Sequence, residues 1–147
     1  MGGHPWFYFV DYEPDVNAAL QRLREREFQA GRYNPVIDFP EFPVTADSEA
    51  PGAGHDSIED AFEDADADGT RSILDMMQVS DTPDYSAVAP LPPEDLIHLF
   101  GTDKPTHEMI EASEALYDKL ERGQGVYIIV YKNDLPSEIF FAGYSFD

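Results

Sequence analysis

Residues Gly125 to Asp147 read GVYIIVYKNDLPSEIFFAGYSFD, and their reading decides the fold. Val126 to Tyr131 is an unbroken apolar run rich in β-branched and aromatic side chains, and Ile139 to Phe146 is a second. Between them lies Lys132-Asn133-Asp134-Leu135-Pro136. Asn and Asp tolerate left-handed backbone angles, and proline cannot donate to a ladder, so this is a turn between two strands. A strand with little polar alternation needs cover on both faces or a neighbour on each side. The hairpin is therefore expected inside a sheet, carrying the core.

Working outward, Trp6 to Val10 has the same character and could pair with the hairpin. Asp11-Tyr12-Glu13-Pro14-Asp15 suits a first helical turn, and the helix is expected to run to Ala30 and stop at Gly31. Val16, Ala19, Leu20, Leu23 and Ala30 share one face of it, with Glu27 in the middle of that face. Residues 33–56 hold four prolines and no helical period, which predicts a long loop. Val36, Ile37, Phe39, Phe42 and Val44 should pack its first half on the body, leaving 46–54 as an exposed tip. Ser57 is placed to N-cap a second helix with an Ile58, Ala61, Phe62, Ala65 stripe, ended by Gly69. Residues 71–79 fit strand or helix; the alternation of Ile73, Met77 and Val79 favours strand. Residues 81–93 read as a proline-rich connector, and 93–100 as a short helix closed by Gly101. Thr106 caps a last helix whose buried face is expected to hold Met109, Ser113, Leu116, Tyr117 and Leu120, with Ile110 at its flank and Gly123 as its end. The sum is one α+β domain over 1–147, with a sheet of about four strands and helices on one face.

Composition narrows the function classes. The chain has 147 residues, 42% apolar and 13% aromatic, enough for a real core and too aromatic for a disordered acidic polymer. It has no cysteine, hence no disulfide framework and no thiolate metal site. The start, Met1-Gly2-Gly3-His4-Pro5, has no basic leader region, and no apolar run approaches membrane-spanning length. A cytoplasmic protein is the expectation. The net charge of −21 repels nucleic acid and anionic membranes and attracts basic partners. Residues 38–103 hold seventeen of the thirty carboxylates and one basic residue, Arg71.

The phrases WFYFVDYEPDVNAALQRLREREFQAGRYNPV and DADADGTRSILD, together with the terminal hairpin, resemble those of a group of small acidic bacterial proteins of unassigned function. The resemblance implies a bacterial intracellular protein and carries no catalytic residue.

Three constellations are candidates for chemistry. Asp64, Asp66, Asp68, Thr70 and Asp75 follow the spacing of an EF-hand calcium loop, 64–75, with Gly69 at its sharp turn. Arg71 stands where that loop has an aliphatic residue, and Asp75 is shorter than the usual bidentate Glu. An acidic helix end capped by Gly69 accounts for the same residues and is preferred, so no metal or other cofactor is expected. Arg22, Arg26 and Arg32, with Arg24 and Tyr33 nearby, could bind a small anion or serve a catalytic site beneath the 33–56 loop, or could pair with local carboxylates. Glu27, an acid on an apolar helix face, is either a functional carboxylate or a partner of Arg32. His4, His55, His98 and His107 are scattered, His98 reading as half-buried. No nucleophile elbow or phosphate-binding glycine loop occurs. The favoured reading is a non-enzymatic binding module, inhibitor- or immunity-like. Its acidic segment 38–103, chiefly Glu59, Asp60, Glu63, Asp64, Asp66 and Asp68, would engage a basic protein surface.

Overall fold

The computed structural model describes residues 4–37 and 42–146. Among them five strands form one sheet: β1 (Pro5–Asp11), β2 (Gln78–Val79), β3 (Ala87–Pro90), β4 (Gly125–Lys132) and β5 (Leu135–Tyr144), in the order β1-β5-β4-β3-β2. The hairpin lies at the centre, as its apolar runs require. β5 pairs antiparallel with both β4 and β1, while β3 adds to β4, and β2 to β3, in parallel. The hairpin loop is only Asn133-Asp134, both with positive φ (55° and 64°). Two such residues in succession match the twist of the flanking strands. Pro136 is therefore inside β5, opposite Tyr131 at a register shift in β4. There the Tyr131 amide donates to the Pro105 carbonyl at 2.9 Å.

Among the described residues four helices accompany the sheet: α1 (Val16–Ala30), α2 (Ile58–Ala65), α3 (Pro93–Phe100) and α4 (His107–Glu111). Asp15 caps α1 by accepting from the Ala18 amide at 3.1 Å. Gly31 ends it in the left-handed region, where a side chain would also strike the Gly52 backbone. Ser57 caps α2 and Thr106 caps α4 through their side-chain oxygens. The buried face of α1 holds Ala19, Leu20, Leu23, Arg24, Glu27 and Phe28, so Phe28 takes the place expected of Ala30.

Two expectations about the sheet need correction. It has five strands, because β3 lies inside the proline-rich connector and the strand expected over 71–79 shrinks to two residues after a 3₁₀ turn, Ile73–Asp75. The helices also cover both faces, not one. Trp6, Tyr8, Ile139 and Phe141 join α1 and α2 in one core cluster. Their alternating neighbours Phe7, Phe9, Phe140 and Ala142 join Ile110 and Leu116 in another, with Leu96, Leu99 and Phe100 of α3 packed against it. Successive strand side chains point to opposite faces, so strands apolar at every position demand two layers of cover. The Trp6 ring fills space at Gly143, where a Cβ would lie 2.5 Å from it. The last helix is also shorter than expected. It stops at Glu111, and a 3₁₀ segment, Ala115–Lys119, follows, so Ile110 and Leu116 are buried while Met109 is exposed. No helix among the described residues is long and apolar enough to cross a membrane.

Candidate functional site

The six carboxylates expected to meet a partner are all exposed: Glu59, Asp60, Glu63 and Asp64 on α2, then Asp66 and Asp68 on a 3₁₀ turn beyond it. The helix can carry them because Ala61 and Ala65 are buried and Ile58 packs against the core. Its far end is tied to the long loop. The Gly54 amide donates to the Tyr33 hydroxyl at 3.1 Å, that hydroxyl meets His55 Nδ1 at 2.9 Å, and His55 Nε2 meets Asp64 at 2.9 Å. The chain of bonds is consistent when Tyr33 donates to Nδ1 and the Nε2 proton points at Asp64. The tyrosine is fully buried, so this hydroxyl–imidazole–carboxylate series holds the loop on α2 and presents no nucleophile. The loop has a second tether, from the Gly52 amide to the Ala30 carbonyl at 2.8 Å. Val36, Ile37, Phe42 and Val44 pack on the body as expected, and Phe39 lies outside the described residues.

The residues of the calcium spacing separate. Asp64 turns to His55, Asp66 leaves the helix at a φ of 53°, and both stay exposed with Asp68. Asp75 and Thr70 are fully buried. Asp75 accepts from the Thr70 amide at 2.6 Å and the Thr70 hydroxyl at 2.8 Å, closing the turn around Gly69. The carboxyl is buried, and burial pushes its pKa up to about 6 against the lowering effect of the Thr70 and Arg71 backbone amides. Among the described residues no group of three or more acidic or histidine side chains is disposed to hold a metal ion.

The arginines meet carboxylates. Arg22 pairs with Glu13. Arg32 grips Glu27 with two bonds, 2.8 and 3.0 Å, and Arg26 adds a third at 3.0 Å. Glu27 is completely buried and belongs to this ion cluster, the structural alternative weighed from sequence. Arg24, lowered in pKa by burial, donates to the Leu74 carbonyl at 3.2 Å and to Gln21 at 2.9 Å. Burial, followed by the Glu27 charge, raises the pKa of the neighbouring Tyr8.

A groove on the opposite face was not legible in sequence. It encloses about 420 Å³, floored by Phe7, Phe9 and Phe140 and walled by Ile110, Tyr117 and Tyr144. Phe140 is buried, whereas Phe7 and Phe9 are only half-buried. α4 ends early: its layer buries Phe140 and Ala142 of β5 and reaches β1 through the His107 ring on Phe9, leaving Phe7 and Phe9 half-buried. Ser113 sits at the break, its hydroxyl accepting from the Leu116 amide at 3.3 Å. Glu111 and Glu114 line the groove and are exposed. Beside it His107 stacks on Phe9 at 3.8 Å, with Glu138 on Nδ1 at 2.8 Å and Glu111 on Nε2 at 3.2 Å. Burial opposes the imidazolium charge there, but the two carboxylates outweigh it and raise the pKa. His98, by contrast with its expected half-burial, is exposed. The i,i+4 spacing of His107 and Glu111 was the one local signal in the sequence, and it speaks for their ion pair and not for the groove.

Comparison with family models, curated proteins and solved structures returned no match.

Proposed function

We propose that the protein is a binding module that engages a basic protein surface through the carboxylates of α2 and the turn after it. The observation that carries this reading is the exposure of all six, Glu59 to Asp68, on an element anchored in the core. A fixed array of like charges presents its field without first ordering its side-chain bearers, which favours fast, salt-sensitive association. An inhibitor or immunity-like protein works in this way, by covering a basic surface. The test is capture from a cell lysate on immobilised protein at low and high salt, beside a Glu59→Lys/Asp60→Lys/Glu63→Lys variant. The expected result is a basic protein retained at low salt, released at high salt and lost with the variant. Retention that ignores the substitutions, or no retained protein, defeats the reading.

A further inference from the structure

The groove over β1 is a second feature with the character of a docking site, on the sheet face opposite α2. Its floor and walls are aromatic and aliphatic: Phe7, Phe9, Phe140, Ile110, Tyr117 and Tyr144. The ring centroids of Phe9 and Phe140 are 4.8 Å apart, and those of Phe7 and Phe140 5.9 Å, so the floor is a continuous packed surface. A side chain entering it would meet ring faces and edges already in place. The volume of about 420 Å³ lies toward the small end of ligand pockets, suited to one or two large side chains.

The charge around the groove selects the occupant. Glu111, which also meets His107 Nε2 at 3.2 Å, and Glu114 are exposed at its margin, and the chain as a whole carries −21. An apolar group flanked by acids or phosphates would be repelled, whereas one flanked by Lys or Arg gains at both steps, in encounter and in contact. Aromatic walls add to this, because a cation held over a ring face is attracted by its quadrupole. We infer that this groove receives a short basic segment of a partner protein, which inserts one aromatic side chain between Phe9 and Tyr117 and sets its flanking Lys or Arg against Glu111 and Glu114. An aromatic anchor in a pocket with a charged margin is the usual distribution of energy in such interfaces. The inference shares with the proposed function only the preference for a basic partner, and the two fail separately.

The experiment uses two fluorescein-labelled peptides, Lys-Arg-Lys-Trp-Lys-Arg-Lys and the same peptide with Ala for Trp. Their charge is identical, so the acidic face of α2 does not distinguish them. Fluorescence anisotropy is expected to give the Trp peptide roughly tenfold tighter binding, the effect of one modest anchor. Ser113→Trp, which fills the groove from its margin, should erase that ratio. Glu59→Lys/Glu63→Lys on α2 should leave it intact even where it weakens both peptides. Equal affinities, or no binding of the Trp peptide, overturn the inference. A concentration-dependent dimer that Ser113→Trp abolishes also overturns it, in favour of a second copy of the chain. If Ser113→Trp does not fold by circular dichroism, amide shifts of the native protein decide. Trp-dependent shifts at Phe9, Ser113 and Tyr117 support the groove, and Trp-dependent shifts confined to other residues reject it.

Discussion

Beneath α1 the sheet is covered by a core that includes Arg24, Glu27 and Asp75; beneath α4 it is covered by Ile110, Leu116 and Leu91. The first face is rich in ionisable groups, and its strand side chains Trp6, Tyr8, Ile139 and Phe141 are fully buried. The second is built of apolar side chains and leaves Phe7 and Phe9 of β1 half-buried. The difference shows that polarity and accessibility are separate properties of a core. Buried charges must be met from several directions, so they hold α1, the turn after α2 and the 3₁₀ turn Ile73–Asp75 in one arrangement. An apolar layer asks only for contact, and where its helix ends early it leaves aromatic surface half-covered.

The largest effect expected from breaking this contrast is at Glu27. Glu27→Ala strands the mostly buried Arg32 guanidinium beside Arg26, and removal of one partner from a buried pair costs about 3–5 kcal/mol. Urea denaturation should show a midpoint lowered accordingly. Glu27→Leu combined with Arg32→Met should lose less than Glu27→Ala alone, because the one cation then left without its carboxylate is Arg26, which is half-exposed and keeps its water. A double variant worse than the single one would mean that the ions do more than satisfy each other.

Asp75 comes next. Its folded pKa of about 6 stands above the unfolded value, so the native state binds its proton more tightly. Stability from this group is full below the unfolded value near pH 4. It falls as pH rises through about 6, by on the order of 2–3 kcal/mol. Asp75→Asn should keep an acceptor for the Thr70 amide and flatten that part of the stability profile. Melting temperature from pH 4 to 7.5, native against variant, checks it; an unchanged slope would assign the effect to other groups.

His107 sharpens the comparison from the open face, with the smallest effect. Its folded pKa is raised, so its contribution is present below the unfolded value near 6.5 and is lost as pH rises through the folded value. The ring is about one-third exposed, and such pairs contribute at most about 1 kcal/mol after solvent screening. His107→Gln should remove a slight decline in melting temperature between pH 6 and 8. A decline that persists in the variant belongs elsewhere.

Much of this architecture was readable in the residues. The caps Ser57 and Thr106 and the stops Gly31 and Gly101 act locally, through chemistry that single residues carry, whereas Asp15, expected in the first turn of α1, lies outside it as its cap. The central hairpin followed from its uninterrupted apolar runs. β3 was not readable, because Ala87-Val88-Ala89-Pro90 has little strand preference of its own and is extended by packing beside β4. The exposed acids of α2 were legible from the Ile58, Ala61, Ala65 stripe. The groove was not, since it depends on where α4 stops relative to β1, more than ninety residues away in the chain. The Tyr33–His55–Asp64 series was hidden for the same reason: its members meet only after the loop has folded back.

The pairing of β1 with β5, Pro5 opposite Tyr144 and Asp11 opposite Glu138, has a consequence in time. During synthesis the first strand emerges long before its partner exists. Trp6 and Tyr8 cannot reach their final burial until β5 has left the ribosome, so the core is completed last and nearly all at once. Contacts of such sequence separation slow folding, because the chain gives up loop entropy before they form. Once β5 has emerged, and until β1 pairs with it, Ile139-Phe140-Phe141-Ala142 is an open edge to any strand nearby. The large negative charge then serves the nascent chain as well as the folded one, keeping one unfinished copy away from the next.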